Sequence, residues 1–243
     1  RIRAVAGEHG LSTIGFQAEH LTVAGLQSMR KELEGIDLVE TSGLLTSLRA
    51  IKDSHEVSLI EECIKVQGEA LDSAMLQVKA GMTESELTAL IEYEMRTRGA
   101  SGASFEPIIA TGTNSSVIHH MPGDKPIEEG MLLIDWGARI NGYCSDLTRT
   151  FSMGPMTEQM SELYDIVLEA QEAGIQACRP GADCMEVDAV AREVIASAGY
   201  GEAFSHGLGH GLGMEVHESP NFSVKSGGVL LEPGMVMTME PGI

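Results

Sequence analysis

The apolar and charged positions of this chain predict the same pair of amphipathic helices twice, at an offset of 100 residues. The pattern of residues 62–99 recurs in residues 162–199, including Gly81 and Gly99 as Gly181 and Gly199. Each first helix is predicted to run to the earlier glycine, because glycine adopts the left-handed conformation that ends a helix at little cost. The pattern therefore indicates a duplicated unit that begins with two helices.

The second helix of each copy is predicted to begin with a capping box. Thr83 is followed three positions later by Glu86, and Asp183 is followed by Glu186 in the same way. This spacing lets the side chain of each residue bond the backbone N–H of the other. The helices are predicted to end near Gly99 and Gly199.

Strands are predicted after each helix pair. Residues 131–138 and 143–151 flank Asn141-Gly142, a two-residue turn that favours a β-hairpin because both positions need a positive φ. Residues 235–240 resemble the first of these strands, and the matching second hairpin is expected to continue past Ile243. The unit is thus helix, helix, strands and hairpin, which predicts an α+β fold.

Residues 1–47 lie outside the repeat. They predict a strand, a helix around residues 22–34 and a second strand near residues 36–39. We interpret them as the remnant of an amino-terminal domain plus a linker, and residues 48–243 as the main domain. The opening Arg1-Ile2-Arg3 resembles neither an initiator methionine nor a signal peptide, which favours a fragment or a mature product.

Composition excludes several classes of partner. The 243 residues contain 36 acidic and 16 basic side chains, a formal net charge of −20, so no basic face is available for nucleic acid or an anionic membrane. No apolar run of about 18 residues predicts a transmembrane helix. The four cysteines show no C-x-x-C spacing, which favours reduced thiols in a cytoplasmic protein.

Two aspartates are predicted to lie together on the hairpin. With Asn141-Gly142 as the turn, Gly137 pairs with Asp146 and Asp135 pairs with Thr148, so Asp135 and Asp146 share one face. Neighbouring carboxylates repel unless a cation lies between them. They are either two ligands of a divalent metal or two solvated carboxylates on an open face.

A histidine-rich and glycine-rich segment favours the metal site. Residues 206–217 read HGLGHGLGMEVH, and the alternating glycines predict a strand whose bare face admits another backbone or a ligand. His206 and His210 share a face, whereas His217 joins them only through a bulge or turn. Glu240 ends an apolar run and corresponds to Asp135 in the repeat. His119 lies in a loop before the first hairpin, a position that alone favours simple solvent exposure.

These residues resemble a known family. The strings LLIDWGARINGYCSDLTRTF, HGLGHGLGMEVHE and GMVMTMEPGI are similar to the pita-bread metallopeptidases, which include aminopeptidase P, prolidase and methionine aminopeptidase. The resemblance covers residues 48–243, and the segment before it is similar to the aminopeptidase P and prolidase branch. It implies a pita-bread fold, with the duplicated unit in pseudo-twofold symmetry around a curved antiparallel sheet.

The resemblance implies a role for each candidate residue. The metal ligands would be Asp135, Asp146, His210 and Glu240, holding two divalent ions, with Mn²⁺ favoured by the oxygen-rich set over Co²⁺ or Zn²⁺. Glu240 would also be the general base. His119 and His217 would be catalytic and would bind substrate, and His206 would line the substrate pocket.

The implied substrate is a short peptide with proline at its second position, cleaved before that proline, and a homodimer is compatible with the family. A fifth ligand, a glutamate, is expected past Ile243, so the 243 residues alone are expected to bind metal weakly and have little activity. A non-catalytic peptide-binding module and a creatinase-like hydrolase remain as alternatives, and the four ligands present favour the peptidase.

Overall fold

The first 49 residues form a compact unit that contains a small parallel sheet. The structure, a computed structural model, describes all residues from 1 to 243 and divides them into Arg1–Arg49 and Ala50–Ile243. The elements at the start of the chain are α1 (Ile2–Glu8), β1 (Thr13–Gln17), α2 (Val23–Glu32), β2 (Asp37–Thr41) and α3 (Leu44–Ala50). The predicted order of strand, helix and strand is present as β1, α2 and β2. The two strands pair in parallel. The sequence did not predict α1 or α3.

The two predicted helix pairs are both present in the larger unit. They are α4 (Ser54–Met75) with α5 (Glu84–Thr97), and α6 (Glu158–Ala177) with α7 (Cys184–Ser197). The second helices, α5 and α7, begin and end 100 residues apart, so the structure repeats with the same 100-residue offset as the sequence. Gly99 and Gly199 follow these helices with positive φ, as expected for glycine after a C-cap.

The capping prediction is fully confirmed for α5 and only in part for α7. Thr83 accepts from the N–H of Glu86, and Glu86 accepts from the N–H of Thr83 at 2.8 Å. In α7, Asp183 accepts from Met185 N–H at 2.8 Å and also from Gly228 N–H. Asp183 therefore ties the start of its helix to a loop of the second copy.

The predicted ends of the first helices are wrong. Helix α4 ends at Met75 and α6 at Ala177, several residues before Gly81 and Gly181. A tight turn follows each helix, closed by the N–H of Met82 or Ala182, and the glycine supplies the positive φ inside that turn. The glycines thus shape the connection between the two helices and do not end the first one.

The strands of the larger unit are short, and every pairing between them is antiparallel. They are β3 (Gly102–Ala103), β4 (Ile108–Thr111), β5 (Gly130–Trp136), β6 (Ala138–Ile140), β7 (Tyr143–Cys144), β8 (Leu147–Met153), β9 (Gly209–Gly211) and β10 (Glu218–Phe222). A 3₁₀ helix, Gly112–Ser116, follows β4. The order is β4-β5-β8 in one sheet, β3-β6-β7 in the next, and β10-β9 in the second copy, all antiparallel.

Each copy packs its helix pair against its strands over a separate apolar cluster. The first cluster contains Leu87, Ile91 and Trp136, and the second contains Val187 and Phe204. Burying such side chains contributes about 1.5–3 kcal/mol each, which is the main force holding helices on sheets.

One polar contact fixes the end of β5 against α4. Gln67 is fully buried, its amide donates to the Trp136 carbonyl, and the Trp136 ring N–H donates to the Gln67 carbonyl at 3.1 Å. The residue before Trp136 is Asp135, so this contact locates the first candidate ligand. None of the helices combines the length and apolar character needed to cross a membrane.

Candidate metal centre

The first hairpin has the register predicted from its turn. Asn141 and Gly142 have φ of 52° and 88°, and Asp135 pairs with Thr148. The N–H of Ser145 donates to the Ala138 carbonyl at 2.9 Å, which continues the same register into the turn. Asp146 lies between β7 and β8 on the face of Asp135, close enough for the two carboxyl groups to interact directly. The predicted placement of Asp135 and Asp146 as neighbours on one face of the hairpin is therefore confirmed.

The second copy supplies His210 and Glu240 from two adjacent extended segments. His210 is the central residue of β9, and residues 236–240 run antiparallel to it. Thr238 N–H donates to the His210 carbonyl, and Glu240 N–H donates to the Leu208 carbonyl, both at 2.8 Å. This ladder places the two side chains on the same side of the segment.

Glycines permit the close approach of these segments, as the alternating pattern predicted. A Cβ on Gly209 would lie 2.2 Å from the Thr238 carbonyl oxygen, and one on Gly211 would lie 2.8 Å from that of Glu218. Carbon and oxygen atoms do not approach this closely, so any side chain here would push the segments apart. The glycine face is therefore what brings β9 against both of its neighbours.

Three side chains converge from the two copies. His210 Nε2 lies 3.1 Å from Glu240 Oε1 and 3.5 Å from Asp146 Oδ2. One potential ligand atom from each of these residues lies within 4.8 Å of the others. His210 Nδ1 lies 3.0 Å from the Gly211 carbonyl, which only accepts, so Nδ1 carries a proton and Nε2 points at the carboxylates.

Asp135 borders this cluster with an unsatisfied atom. Its Oδ1 is buried and has no hydrogen-bond partner, although buried carboxylate oxygens are normally paired. Burial, followed by the charge of Glu240, raises the pKa of Asp135 to about 6. Burial and the charges of Asp135 and Glu240 raise the pKa of Asp146 to about 7. The charge of His210 lowers both pKa values, but by less than burial and the neighbouring carboxylates raise them.

Glu240 and His210 compensate each other in part. Burial alone would raise the pKa of Glu240, but hydrogen bonds from His210 and Thr238 outweigh it, so the pKa is lowered. Burial would lower the pKa of His210, and the Glu240 carboxylate outweighs it, so that pKa is raised. One imidazolium cannot neutralise three carboxylates. An orphaned oxygen, oxygen-rich donors and excess negative charge together fit a divalent cation.

The three other candidate histidines lie within electrostatic reach of the cluster or of one another. The ring centroids of His217 and His210 are 4.2 Å apart. Burial lowers the pKa of His217, and the charges of His210 and His119 lower it further, so His119 lies within electrostatic reach. His206 stacks edge-on against Phe204, with centroids 5.0 Å apart, and its charge acts on Glu240.

The turn that His217 requires is present. Residues 212–217 leave the strand, and the register of β10 against β9 shifts between Glu218 and Asn221. His119 is exposed, and His217 is covered by His210 on one side and exposed on the other, whereas His210 is almost fully buried. The four candidate metal ligands therefore lie inside the site, and His217 lies at its solvent side within electrostatic reach of His119.

Sequence reasoning missed one residue within the cluster itself. Thr238 Oγ1 accepts from the His210 N–H at 2.9 Å and donates to Glu240 Oε1 at 2.5 Å. It therefore orients one candidate ligand on each of the two segments. The available signal was a single hydroxyl in the otherwise apolar run of residues 235–239.

The comparison with known families assigns most of the chain. Residues 58–243 match metallopeptidase family M24. The chain belongs to this family. Members of a metallopeptidase family use divalent metal ions, and the cluster of carboxylates and one histidine in this M24 protein fits a site for such ions.

Individual relatives agree with the family. The chain is 41% identical over 235 residues to an uncharacterized peptidase of Bacillus subtilis and 38% identical over 235 residues to a Xaa-Pro dipeptidase of Pyrococcus horikoshii. Each alignment covers 96% of this chain, and the chain spans 66% of the length of both curated relatives.

A solved structure confirms the fold. The X-Pro aminopeptidase of Thermotoga maritima superposes with a TM-score of 0.93 at 35% identity, covering 99% of this chain and 68% of that one. The M24 chain therefore has the pita-bread fold that the motifs implied, with helix pairs and antiparallel strands used twice.

Proposed function

We propose that the protein is a two-metal peptidase that hydrolyses the bond between an amino-terminal residue and a following proline. The convergence of Asp135, Asp146, His210 and Glu240 into one partly buried cluster carries this proposal. Its relatives named Xaa-Pro dipeptidase and X-Pro aminopeptidase support the substrate class.

The ligand set favours hard cations, and we propose Mn²⁺, with Co²⁺ and Zn²⁺ as alternatives. A set of three carboxylates and one imidazole suits manganese, whereas a site rich in thiolates would favour zinc. When bound, such ions polarise the scissile carbonyl and lower the pKa of a water molecule. Asp135 and Asp146 would hold them from the first copy, and His210 and Glu240 from the second.

Glu240 is positioned to serve as the general base. Its Oε1 is engaged by His210 Nε2 and Thr238 Oγ1, which leaves Oε2 to take a proton from the attacking water. The pKa of Glu240 is lowered, so the carboxylate is ionised and able to accept that proton near neutral pH.

The exposed histidines are suited to bind and polarise the peptide. The pKa of His217 is lowered, so its ring is neutral at physiological pH and can donate an N–H to the oxygen that gains charge. We assign the second such contact to His119 and the wall of the substrate pocket to His206. An N–H aimed at a developing oxyanion typically contributes about 10²–10³-fold to the rate.

The test compares peptides that differ only at the second position. The full-length protein, stripped with chelator and reloaded with Mn²⁺, Co²⁺ or Zn²⁺, is assayed on Xaa-Pro dipeptides, Xaa-Pro tripeptides and the matching Xaa-Ala peptides. We expect cleavage of the proline peptides with Mn²⁺ and its loss in Asp146→Asn. Metal binding without cleavage of any Xaa-Pro peptide would refute the peptidase and favour a binding module.

The organisation of the chain and its location belong to the same proposal. We propose that residues 1–47 belong to an amino-terminal domain and linker, and that residues 48–243 form the catalytic unit, which the division after Arg49 supports. The four free thiols support a cytoplasmic location. The homodimer stays a prediction, to be tested by light scattering of the purified protein.

A further inference from the structure

Glu84, the first residue of α5, is a fully buried carboxylate whose hydrogen-bonding capacity is filled by one loop. Its Oε1 accepts from Thr111 N–H at 2.9 Å and from Asn114 Nδ2 at 2.8 Å. Its Oε2 accepts from His120 Nε2 at 2.8 Å and from Gly123 N–H at 3.2 Å. An ionised carboxylate has about four acceptor positions, and here all four are used.

These four donors span the loop of residues 111–123, which carries His119. Three residues of the loop, Val117, Ile118 and Met121, are exposed and apolar, so packing does not hold the loop between its anchors. His119 itself is exposed and has φ of +57°, a left-handed conformation that few residues other than glycine adopt. A strained residue persists only where its surroundings impose the conformation.

The anchor nearest to His119 is its direct neighbour. His120 Nε2 donates to the Glu84 carboxylate, which only accepts. Further along the loop, Ser85 Oγ donates to the Pro122 carbonyl at 3.1 Å and Glu84 accepts from the Gly123 N–H. The backbone N–H of His120 also donates to the Val117 carbonyl at 3.2 Å, which closes the turn that contains His119. His119 then lies within electrostatic reach of His217 beside the metal cluster.

We propose that Glu84 is a positioning residue, which holds His119 in its left-handed conformation at the substrate site by anchoring His120 and the loop of residues 111–123. The role of His119 rests on the proposed function, whereas the anchoring of the loop does not.

The chemistry requires an ionised carboxylate at this position. Burial raises the pKa of Glu84, but the hydrogen bonds from His120, Thr111, Asn114 and Gly123 outweigh it and the pKa is lowered. Glutamine would place an NH₂ group against two donors, so at least two of the four hydrogen bonds would be lost.

The second copy contains a comparable anchor, which supports the interpretation. Asp188 of α7 is fully buried, binds Arg192 through both oxygens and accepts from Leu208 N–H at 3.0 Å. Arg192 in turn donates to the carbonyls of Phe204 and His206 at 2.7 and 2.8 Å. In both copies, a buried carboxylate on the second helix of the pair holds the segment that presents a candidate substrate histidine.

Hydrogen–deuterium exchange of the full-length protein tests the anchoring directly. Glu84→Gln is expected to speed exchange across residues 112–123 by about tenfold or more, since it removes hydrogen bonds to a charged group. Exchange in α4 and β5 is expected to stay unchanged. Glu86→Gln is the matched control, because Glu86 lies in the same turn of α5, is exposed and caps only Thr83.

A second variant protects the test against a failure of Glu84→Gln to fold. His120→Leu removes one donor at a half-buried position and leaves Glu84 with its three other partners. It is expected to speed exchange over residues 117–121 in particular. Unchanged exchange in His120→Leu would overturn the proposal, whatever the activity of the protein.

Kinetics on a Xaa-Pro peptide then test whether the anchor acts through His119. Glu84→Gln is expected to lower kcat/KM by about 10–100-fold, the cost of misplacing a group that contacts substrate. In a His119→Ala background the same change is expected to cost less than about twofold. Equal losses in both backgrounds would show a general structural role and overturn the positioning.

The two proposals fail in distinguishable ways. If no Xaa-Pro peptide is cleaved, the proposed function fails, and the exchange of residues 112–123 still decides whether Glu84 holds the loop. Mn²⁺ affinity, measured by calorimetry, is expected to be the same in Glu84→Gln and wild type, because Glu84 contacts none of the four ligands.

Discussion

Lys52 donates a hydrogen bond to Glu218 Oε2 across 2.9 Å, and the exposed fractions of the two side chains are only 1% and 4%. The backbone N–H of Lys52 also donates to the Gly234 carbonyl at 2.8 Å. Lys52 thus connects the entry to α4 with the segment of His217 and with the turn before residues 235–240. Both of these segments carry residues of the candidate site.

Lys52→Met is therefore expected to destabilise the protein by about 3 kcal/mol or more, because it removes a buried cation that lies 2.9 Å from the Glu218 carboxylate. Urea unfolding followed by circular dichroism measures the change. Lys65→Met is the matched control, since Lys65 and Glu69 are exposed and their charged atoms are 4.0 Å apart. That change is expected to cost about 0.5 kcal/mol or less, and equal effects would contradict the buried pair.

Substitution of the predicted ligands should abolish metal binding without unfolding the protein. Asp146→Asn and His210→Ala each remove one of three converging ligand atoms, and we expect Mn²⁺ affinity to fall by at least about 100-fold. Calorimetric titration of the chelator-treated protein measures this. Asp72→Asn, on the exposed side of α4, is the control and should bind as wild type does.

The metal-free protein should lose stability as the pH rises from about 4 to about 7. The pKa values of Asp135 and Asp146 are raised to about 6 and about 7, against about 3.9 in an unfolded chain. In that window the folded state binds more protons than the unfolded state, so deprotonation favours unfolding. A tenfold difference in proton affinity between the two states corresponds to about 1.4 kcal/mol in the free energy of unfolding.

Asp146→Asn isolates this contribution from the other acidic groups. In chelator at pH 8 the variant should be more stable than wild type, and the difference should shrink as the pH falls to 5. Urea unfolding at each pH gives the two curves. A difference that does not change with pH would show that the two carboxyl groups are not electrostatically strained.

Two identical substitutions at different glycines should have opposite effects. Gly209→Ala places a Cβ about 2.2 Å from the Thr238 carbonyl oxygen, so it should separate the segments of His210 and Glu240 and destabilise the protein by about 2 kcal/mol or more. Gly68→Ala lies inside α4 with no atom within 4 Å of the new Cβ, and should stabilise the protein by about 0.5–1 kcal/mol. Thermal unfolding distinguishes them, and Gly209→Ala should also weaken Mn²⁺ binding.

Local chemistry made much of this site predictable. Asn141-Gly142 sets the register of the hairpin, and the register alone places Asp135 and Asp146 on one face. The glycines of residues 207–213 likewise predict close backbone contact, because no other residue permits it. Each of these predictions depends on a constraint contained within a few neighbouring residues.

The contacts that the sequence did not reveal join distant segments. Glu84 reads as an ordinary acidic residue in the first turn of a helix, and only the fold brings residues 111–123 to its carboxylate. Lys52 reads as a solvated charge before a helix, and its partner lies 166 positions away. Helix α1 was missed because it is short, and the ends of α4 and α6 were misplaced because a turn glycine resembles a cap glycine.

The division of the ligands between the two copies has a consequence for the origin of the site. Asp135 and Asp146 come from the first helix–helix–strand unit, and His210 and Glu240 come from the second. A single unit would supply only two of the four candidate ligands, so a protein with one unit would need a second copy of itself to bring all four together.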